Sequence, residues 1–486
     1  MNAELIDRQR EVDELREMAA AEGRQLALLY GRRRVGKTFL LTHAWDQEEV
    51  EVLYFTASAT SPEVNRRTLL REVSRWSQSE LRPEDLPTWR TVFRRLFELK
   101  PRKPLVVIFD EFQYLGTEQK GMRNVASELN AIWESNLNRE AGLLVVLSGS
   151  AIRSMEALES GGSPLFGRLD WRRKLEPFDY FDAAQMVPFD HRDSVMTYAA
   201  FGGMPKYLAA VDGKRGWEQN VVDLLMSSDG EVRIQVETAL QQEEGLRHPH
   251  KYRSILASVG LSRKNAGEIA APLGRNSDSA LKRMINRLVE LEYLEGKRNF
   301  DAPANHPVRY RIADPAQRCY YGLVLPNESA IAASGADRVW STRIKPQMWP
   351  QYVGAEVFED IVRQAYMRWI DQQQVPAVDE WGRWEGRDRN RRSLEIDVVT
   401  RLLDGRMMTG AIKFRTRRTG AKVFIEHLEA LRRLADSGYG WAHEAIEPDS
   451  VLLFVSSAGF KDSFWEVCEE YSDYRIITRT LSDLYG

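Results

Sequence analysis

Residues 31–38 read Gly31-Arg32-Arg33-Arg34-Val35-Gly36-Lys37-Thr38, the spacing G-x-x-x-x-G-K-T. They follow the apolar run Leu26-Ala27-Leu28-Leu29-Tyr30 and precede the helix-like Phe39-Leu40-Leu41-Thr42-His43-Ala44. A strand, a glycine-rich turn and a helix start together make an anion site. Backbone N–H groups of the loop and the first helical turn point at the ligand, and the helix dipole favours negative charge there. Gly31, Arg32, Arg33, Arg34, Val35, Gly36, Lys37, Thr38 and Phe39 would form the cradle. Lys37 would reach the β- and γ-phosphates, and the Thr38 hydroxyl would ligate Mg²⁺. The pattern predicts a nucleotide-binding protein.

Further apolar runs repeat the strand signal. They are Val52-Leu53-Tyr54-Phe55, Leu105-Val106-Val107-Ile108-Phe109-Asp110-Glu111 and Leu143-Leu144-Val145-Val146-Leu147-Ser148-Gly149-Ser150. Helices are expected over residues 5–20 (capped by Asp7), 62–100 and 120–138. Continuous apolar strands alternating with helices predict a parallel sheet covered on both faces, a doubly wound α/β domain. Asp110 ends a buried strand, where it suits a magnesium-holding carboxylate, directly or through water. Glu111 beside it would orient and deprotonate the attacking water. A solvated acidic pair is the plain alternative. Ser148 or Ser150 could touch the γ-phosphate or the attacking water, or simply end a strand. Phosphoryl transfer also needs a cation near the γ-phosphate. Arg153 and Arg168 are candidates beside the loop arginines, and Arg168 is preferred because Pro164-Leu165-Phe166-Gly167-Arg168 would form a loop at the nucleotide edge.

At 486 residues the chain needs two to four domains. Hydrophobic content of 43% and charged content of 29% are globular values. A net charge of −3 hides local basic blocks, so it neither supports nor excludes nucleic acid. Two cysteines, Cys319 and Cys468, make neither a disulfide framework nor a zinc site. The charged N-terminus lacks a signal-peptide core, and no run approaches a membrane span. A cytoplasmic protein with no membrane partner is expected.

The pattern divides the chain into a nucleotide-binding core (1–176), a helical lid (177–245), a winged helix-turn-helix (246–324), a Pro/Ser/Gly/Lys-containing linker (325–348) and a second α/β unit (349–486). In the winged helix, a third helix from Asp278 to Leu291 would place Lys282, Arg283, Asn286 and Arg287 on one face, suited to phosphates and base edges of DNA. A ribbon of Tyr293–Gly296 with Tyr310–Ile312 would add Lys297, Arg298, Arg309 and Arg311. Intramolecular packing is the plainer use of such a domain.

Several motifs together resemble the archaeal-type ATPases of the signal-transduction P-loop branch related to AAA+ proteins. They are Ile6-Asp7-Arg8-Gln9-Arg10-Glu11, the loop from Tyr30 to Thr38, Asp110-Glu111-Phe112-Gln113-Tyr114, Gly149-Ser150 and Gly202-Gly203-Met204-Pro205-Lys206-Tyr207-Leu208. The resemblance covers about residues 1–320. It implies ATP rather than GTP, a helical lid, a winged helix after it, and self-assembly into homo-oligomers.

Near the C-terminus, Glu359 lies on an amphipathic helix, Asp397 in Leu394-Glu395-Ile396-Asp397-Val398-Val399, and Lys413 in Gly410-Ala411-Ile412-Lys413-Phe414. This series resembles the core of PD-(D/E)XK nucleases, a restriction-endonuclease-like fold. Two carboxylates there hold Mg²⁺, and a lysine positions the attacking water. Trp381-Gly382-Arg383-Trp384-Glu385 and Glu395-Ile396-Asp397 also resemble the domain often fused to archaeal-type ATPases. Ala411 departs from the pattern, which calls for Glu or Asp. The domain is then an inactive binding fold, or Glu395 or Glu359 supplies the missing oxygen, or an original Glu has been replaced to disarm a nuclease. Ordinary strand charges remain the plain reading of Asp397 and Lys413. These features imply an ATP- and Mg²⁺-dependent protein coupling nucleotide state to DNA processing, in genome defence or repair. The alternative is a regulatory ATP switch with a non-catalytic C-terminal binding domain.

Overall fold

The apolar runs of the N-terminal half form one parallel sheet in the computed structural model, which describes residues 6–99, 101–135, 142–243 and 245–486. Its strands are β1 (Arg24–Tyr30), β2 (Glu51–Thr56), β3 (Leu105–Asp110), β4 (Leu143–Gly149) and β5 (Trp171–Lys174), in the order β2-β3-β4-β1-β5. Every neighbouring pair is parallel. β3 and β4 are buried along their whole length, as continuous apolar runs require. β5 has no apolar run to announce it. It carries Trp171-Arg172-Arg173-Lys174 and pairs only with β1, so an edge position lets it dispense with one.

The sheet is flanked by α1 (Gln9–Ala20), α2 (Lys37–His43), α3 (Pro62–Ser77), α4 (Trp89–Phe97), α5 (Glu118–Trp133) and α6 (Ile152–Glu159). α1 buries Val12, Leu15 and Ala19, and its N-cap position is Arg8 rather than the expected Asp7. The helix expected over 62–100 is two helices. Ser61 caps α3 by accepting from the Val64 amide, Gln78 ends it at φ 51°, and Thr88 caps α4. Residues 5, 100 and 136–138 of the expected helices lie outside the described residues.

The chain divides into two units: residues up to Pro177 with Met204–Lys206, and Phe178–Gly203 with Tyr207–Gly486. The second unit begins with short helices, among them Tyr180–Gln185, His191–Phe201 and Glu231–Thr238. A winged helix follows, with helices Pro249–Val259, Ala266–Ala270 and Ser279–Glu290 and an antiparallel ribbon of β6 (Leu294–Lys297) and β7 (Arg309–Ile312). Asp278 caps the third helix by accepting from the Leu281 amide. Asn265 and Glu268 form a capping box on the second.

The expected linker at 325–348 is instead helical, through Leu325–Asn327, Glu328–Ser334, Ala336–Val339 and Trp340–Met348. Ile331, Val339, Trp340 and Ile344 are buried. The Trp340 ring lies 5.8 Å from Trp217 and 5.2 Å from Trp349, so aromatic packing overrides the Pro and Gly content that suggested a linker.

The C-terminal part holds β8 (Val378–Arg387), β9 (Ser393–Leu402), β10 (Met407–Lys413), β11 (Val451–Ser456) and β12 (Arg475–Thr480), ordered β12-β11-β10-β9-β8. The β8/β9 and β9/β10 pairs are antiparallel and the β10/β11 and β11/β12 pairs parallel, so the sheet is mixed. Helices Phe358–Asp371 and Ala421–Ala435 accompany it. Among the described residues no helix is long and apolar enough to cross a membrane.

Replacing Trp340 with Ala is expected to lower stability by about 3–5 kcal/mol. Denaturant unfolding checks this; a segment acting only as a tether would shift by about 0.5 kcal/mol or less.

Candidate nucleotide site and C-terminal carboxylate cluster

The loop Gly31–Thr38 leaves the carboxyl end of β1 and delivers Lys37 into the first turn of α2. Gly31 is required by close approach, because a Cβ there would fall 2.3 Å from the Leu175 carbonyl oxygen. Gly36 sits at φ 97°, where a side chain is strained. The Lys37 side chain is 5% exposed. Its ammonium donates to the carbonyls of Gly31 (2.8 Å) and Arg32 (3.0 Å). Burial pushes its pKa down, and the nearby Glu111 and Asp110 oppose this. A buried cation whose hydrogen-bond partners are neutral carbonyls is prepared for an anion.

Asp110 is the centre of the site. Its Oδ2 accepts from Thr38 Oγ1 (2.9 Å) and the Tyr54 hydroxyl (2.7 Å). Its Oδ1 accepts from Ser148 Oγ (2.9 Å) and the Glu111 amide (3.0 Å). Adjacent corners of an Mg²⁺ octahedron with ~2.1 Å bonds lie ~3 Å apart, so the Thr38–Asp110 oxygen pair has the spacing of two magnesium ligands. Burial and the Asp110 charge raise the Tyr54 pKa, keeping it a donor.

Glu111 follows at φ 54°, a left-handed conformation that turns its side chain away from the strand direction. Its Oε2 accepts from Ser150 Oγ (2.7 Å), the Ser150 amide (3.2 Å) and the Gln113 side-chain amide. Among the described residues the Gln113 Oε1 is buried without a partner. Arg33 donates to the Tyr114 hydroxyl at 2.8 Å. Val35 is buried, and Phe39 is 38% exposed with its ring stacked on His43.

Two expectations change. Ser148 is fully buried beneath Asp110 and donates to it, so it orients the carboxylate rather than meeting a phosphate. Arg168 is not brought to the loop. It pairs with Glu134, just past the end of α5, whose last turn lies against Arg24 at the amino end of β1. That is the opposite end of the strands. Arg153, on the first turn of α6 after the carboxyl end of β4, lies at the loop's end of the sheet. Tyr54 and Gln113 join the site without having been expected there; their signal is a polar side chain two positions from a strand end and one just past the acidic pair.

A second cluster lies in the C-terminal sheet. Glu359, Glu395 and Asp397 each offer a carboxylate oxygen, and the three lie within 4.8 Å of one another. Lys413 Nζ is 2.9 Å from Asp397 Oδ2, which also accepts from the Ile412 amide at 2.7 Å. Glu395 lies two positions before Asp397 on the same strand and belongs to this group of acids. Burial pushes the Glu359 carboxyl up to about 8, against the pull of Arg383. Arg383 lies among the acids, 3.6 Å from Glu359 and 3.5 Å from Glu385, and paired with Glu395.

On the winged helix, Lys282, Arg283 and Asn286 are exposed on the third helix. Arg287 on the same face pairs with Glu290 at 3.4 Å. The ribbon behaves differently from a free DNA-binding wing. Arg311 is buried and paired with Glu295 and Asp360, and Arg309 lies 2.9 Å from Glu385.

Residues 5–211 match a family model described as an ATPase domain predominantly from Archaea. Residues 320–423 match one described as "Archaea bacterial proteins of unknown function". The chain is 27% identical over 399 residues to the Uncharacterized protein MJECL04 of Methanocaldococcus jannaschii, covering 81% of this chain and 83% of that one. It is similar to the Walker-type ATPase PABY2304 of Pyrococcus abyssi at a TM-score of 0.47 and 20% identity, over 66% of this chain and 97% of that one. The Aeropyrum pernix ORC2 protein in ADPNP–ADP complexes gives a TM-score of 0.43 at 16% identity, over 68% of this chain and 96% of that one. With the loop and its acidic partners, the family match defines the class: the chain carries an ATP-binding P-loop ATPase domain. A separate mixed-sheet domain forms its C-terminal part.

His427 is buried beneath the carboxylate cluster, its Nε2 2.9 Å from Thr409 Oγ1. Burial takes its pKa from the ordinary 6.5 down to about 4. The folded state therefore keeps the ring neutral, while the unfolded chain takes up a proton below 6.5. Its contribution is present above that pH and is lost as pH falls towards 4. The loss is on the order of 3 kcal/mol. Thermal unfolding across this window should show a flatter pH dependence for His427→Gln than for the parent.

Proposed function

We propose that the chain binds ATP with Mg²⁺ in the Gly31–Thr38 loop and hydrolyses it, and that nucleotide state controls DNA engagement by the winged helix and a nuclease-like C-terminal domain. The observation that carries this reading is the convergence of Thr38 and Glu111 on the Asp110 carboxylate, beside the buried Lys37 ammonium. Lys37 binds the β- and γ-phosphates in place of the loop carbonyls. Thr38 and Asp110 hold the metal, which offsets phosphate charge. Glu111, fixed by Ser150 and Gln113, orients the attacking water and accepts its proton. Arg153 supplies positive charge at that end of the sheet. Self-assembly into homo-oligomers belongs to the same reading.

In the C-terminal domain, Glu359, Asp397 and Glu395 hold a divalent ion, and Lys413 positions the attacking water. Glu395 replaces the acid missing at 411. A second reading, a regulatory switch whose C-terminal domain only binds, draws on Arg383, which already lies against Glu359 and Glu395.

Lys37→Ala is expected to abolish magnesium-dependent ATP binding. Glu111→Gln is expected to retain binding and lose about 100-fold or more in turnover. Steady-state hydrolysis with parallel binding measurements checks both; unchanged turnover in Glu111→Gln would remove its assigned role. Alanine at Lys282, Arg283 and Asn286 together is expected to weaken duplex DNA binding and to reduce the salt slope by about 2. Unchanged affinity and slope would reject the recognition-helix role.

A further inference from the structure

Within the second unit, the winged helix and the C-terminal sheet enclose a cavity of about 620 Å³. Lys297 and Arg298, at the end of β6, line one side; Glu359 and Asp397 line another, with Arg363 from the Phe358–Asp371 helix. The ribbon tip is fixed over the cavity. The Phe300 amide donates to the Arg383 carbonyl at 2.9 Å, and Asn299 Nδ2 donates to the Glu385 carbonyl at 2.6 Å.

Most cations around the cavity already have carboxylates. Arg309 has Glu385, Arg311 has Asp360 and Glu295, and Arg383 has Glu395. Three differ. Among the described residues the Lys297 and Arg363 side chains form no hydrogen bond or ion pair, and the Arg363 Nε is buried without an acceptor. The Arg298 side chain donates, among the described residues, to the His306 carbonyl alone, at 3.1 Å. Desolvation lowers the Lys297 pKa; Glu295 opposes this, and repulsion from Arg363 and Arg311 adds to it. Glu295 near Lys297 and Asp360 near Arg363 offset part of this charge without pairing with it, and crowded cations of this kind gain when an anion joins them.

The same cavity presents the half-buried rings of Phe300 and Trp381. Cations that follow a backbone, interleaved with aromatic faces, are the chemistry of single-stranded nucleic-acid binding. A cavity of this volume takes a ligand of roughly one or two nucleotides in its interior, which suits an unpaired strand better than a duplex.

We propose that this cavity binds a single-stranded segment of nucleic acid, with Lys297, Arg298 and Arg363 on its phosphates and Phe300 and Trp381 against its bases. The ribbon thus delivers a frayed or flapped strand to the Glu359–Glu395–Asp397 cluster instead of reading a duplex groove. This deepens the nuclease-like reading, on which the fate of the bound strand rests.

The test measures anisotropy of a fluorescent oligothymidylate of about six nucleotides with the full-length protein. Lys297→Ala/Arg363→Ala is expected to bind at least 10-fold more weakly and to flatten the salt slope by about 1.4 units. Lys297→Glu, a single exposed change, is expected to weaken binding as well while ATP turnover is unchanged, which guards against misfolding of the double variant. Alanine at Lys282, Arg283 and Asn286 should leave oligothymidylate affinity unchanged. The proposal is overturned if the Lys297 variants bind like the parent, if the recognition-helix variant loses the oligonucleotide equally, or if the parent binds none. Metal-dependent cleavage of duplex and nicked DNA, measured separately, decides the broader nuclease-like reading.

Discussion

The nucleotide site depends on one buried carboxylate being fully occupied. Asp110 ends a strand with no exposed residue, so its charge is tolerable only if its oxygens are satisfied. Thr38, Tyr54, Ser148 and its neighbour's amide supply that, from four different segments. Those donors tie the phosphate loop, β2, β3 and β4 into one register at their carboxyl ends. The same arrangement forces Glu111 into a left-handed conformation and turns it towards Ser150. The placement of the acidic pair and the satisfaction of its charge are therefore one solution here.

The second unit solves a denser version of the same problem. Glu356, Glu359, Asp360, Glu385 and Glu395 crowd the C-terminal domain near its carboxylate cluster. Arg263, Arg309, Arg311 and Arg383 neutralise them, three of these from the winged helix. The winged helix is accordingly committed to its neighbour through its ribbon, while Lys282, Arg283 and Asn286 on its third helix are exposed. Sensitivity to pH comes from burial: His427 is kept neutral below its ordinary range, whereas Glu359 is kept protonated above its own.

What the sequence disclosed was whatever is carried by local pattern. The phosphate loop, the apolar strands, the capped third helix at Asp278 and the Asp397/Lys413 spacing are all set by near neighbours in the chain. What it concealed depends on which strands lie side by side. Ser148 reads as a strand-end hydroxyl until β4 is placed beside β3. Arg168 reads as a loop cation until α5 returns it to the wrong end of the sheet. The segment 325–348 reads as a linker because Pro and Gly are locally visible, whereas the partners of Trp340 are 123 positions upstream at Trp217 and 9 downstream at Trp349. Glu395 was visible as one of two substitutes for the acid absent at 411; it lies two positions before Asp397 on β9, so strand alternation puts both carboxylates on one face.

Everything proposed for the first unit turns on the Thr38–Asp110 oxygen pair being a metal site that serves a triphosphate. The most direct measurement is calorimetric titration of ATP into the parent and Asp110→Asn, each with and without Mg²⁺. Affinity is expected to rise with Mg²⁺ in the parent and to lose that dependence in the variant. Equal affinities with and without the ion in the parent would contradict the assignment.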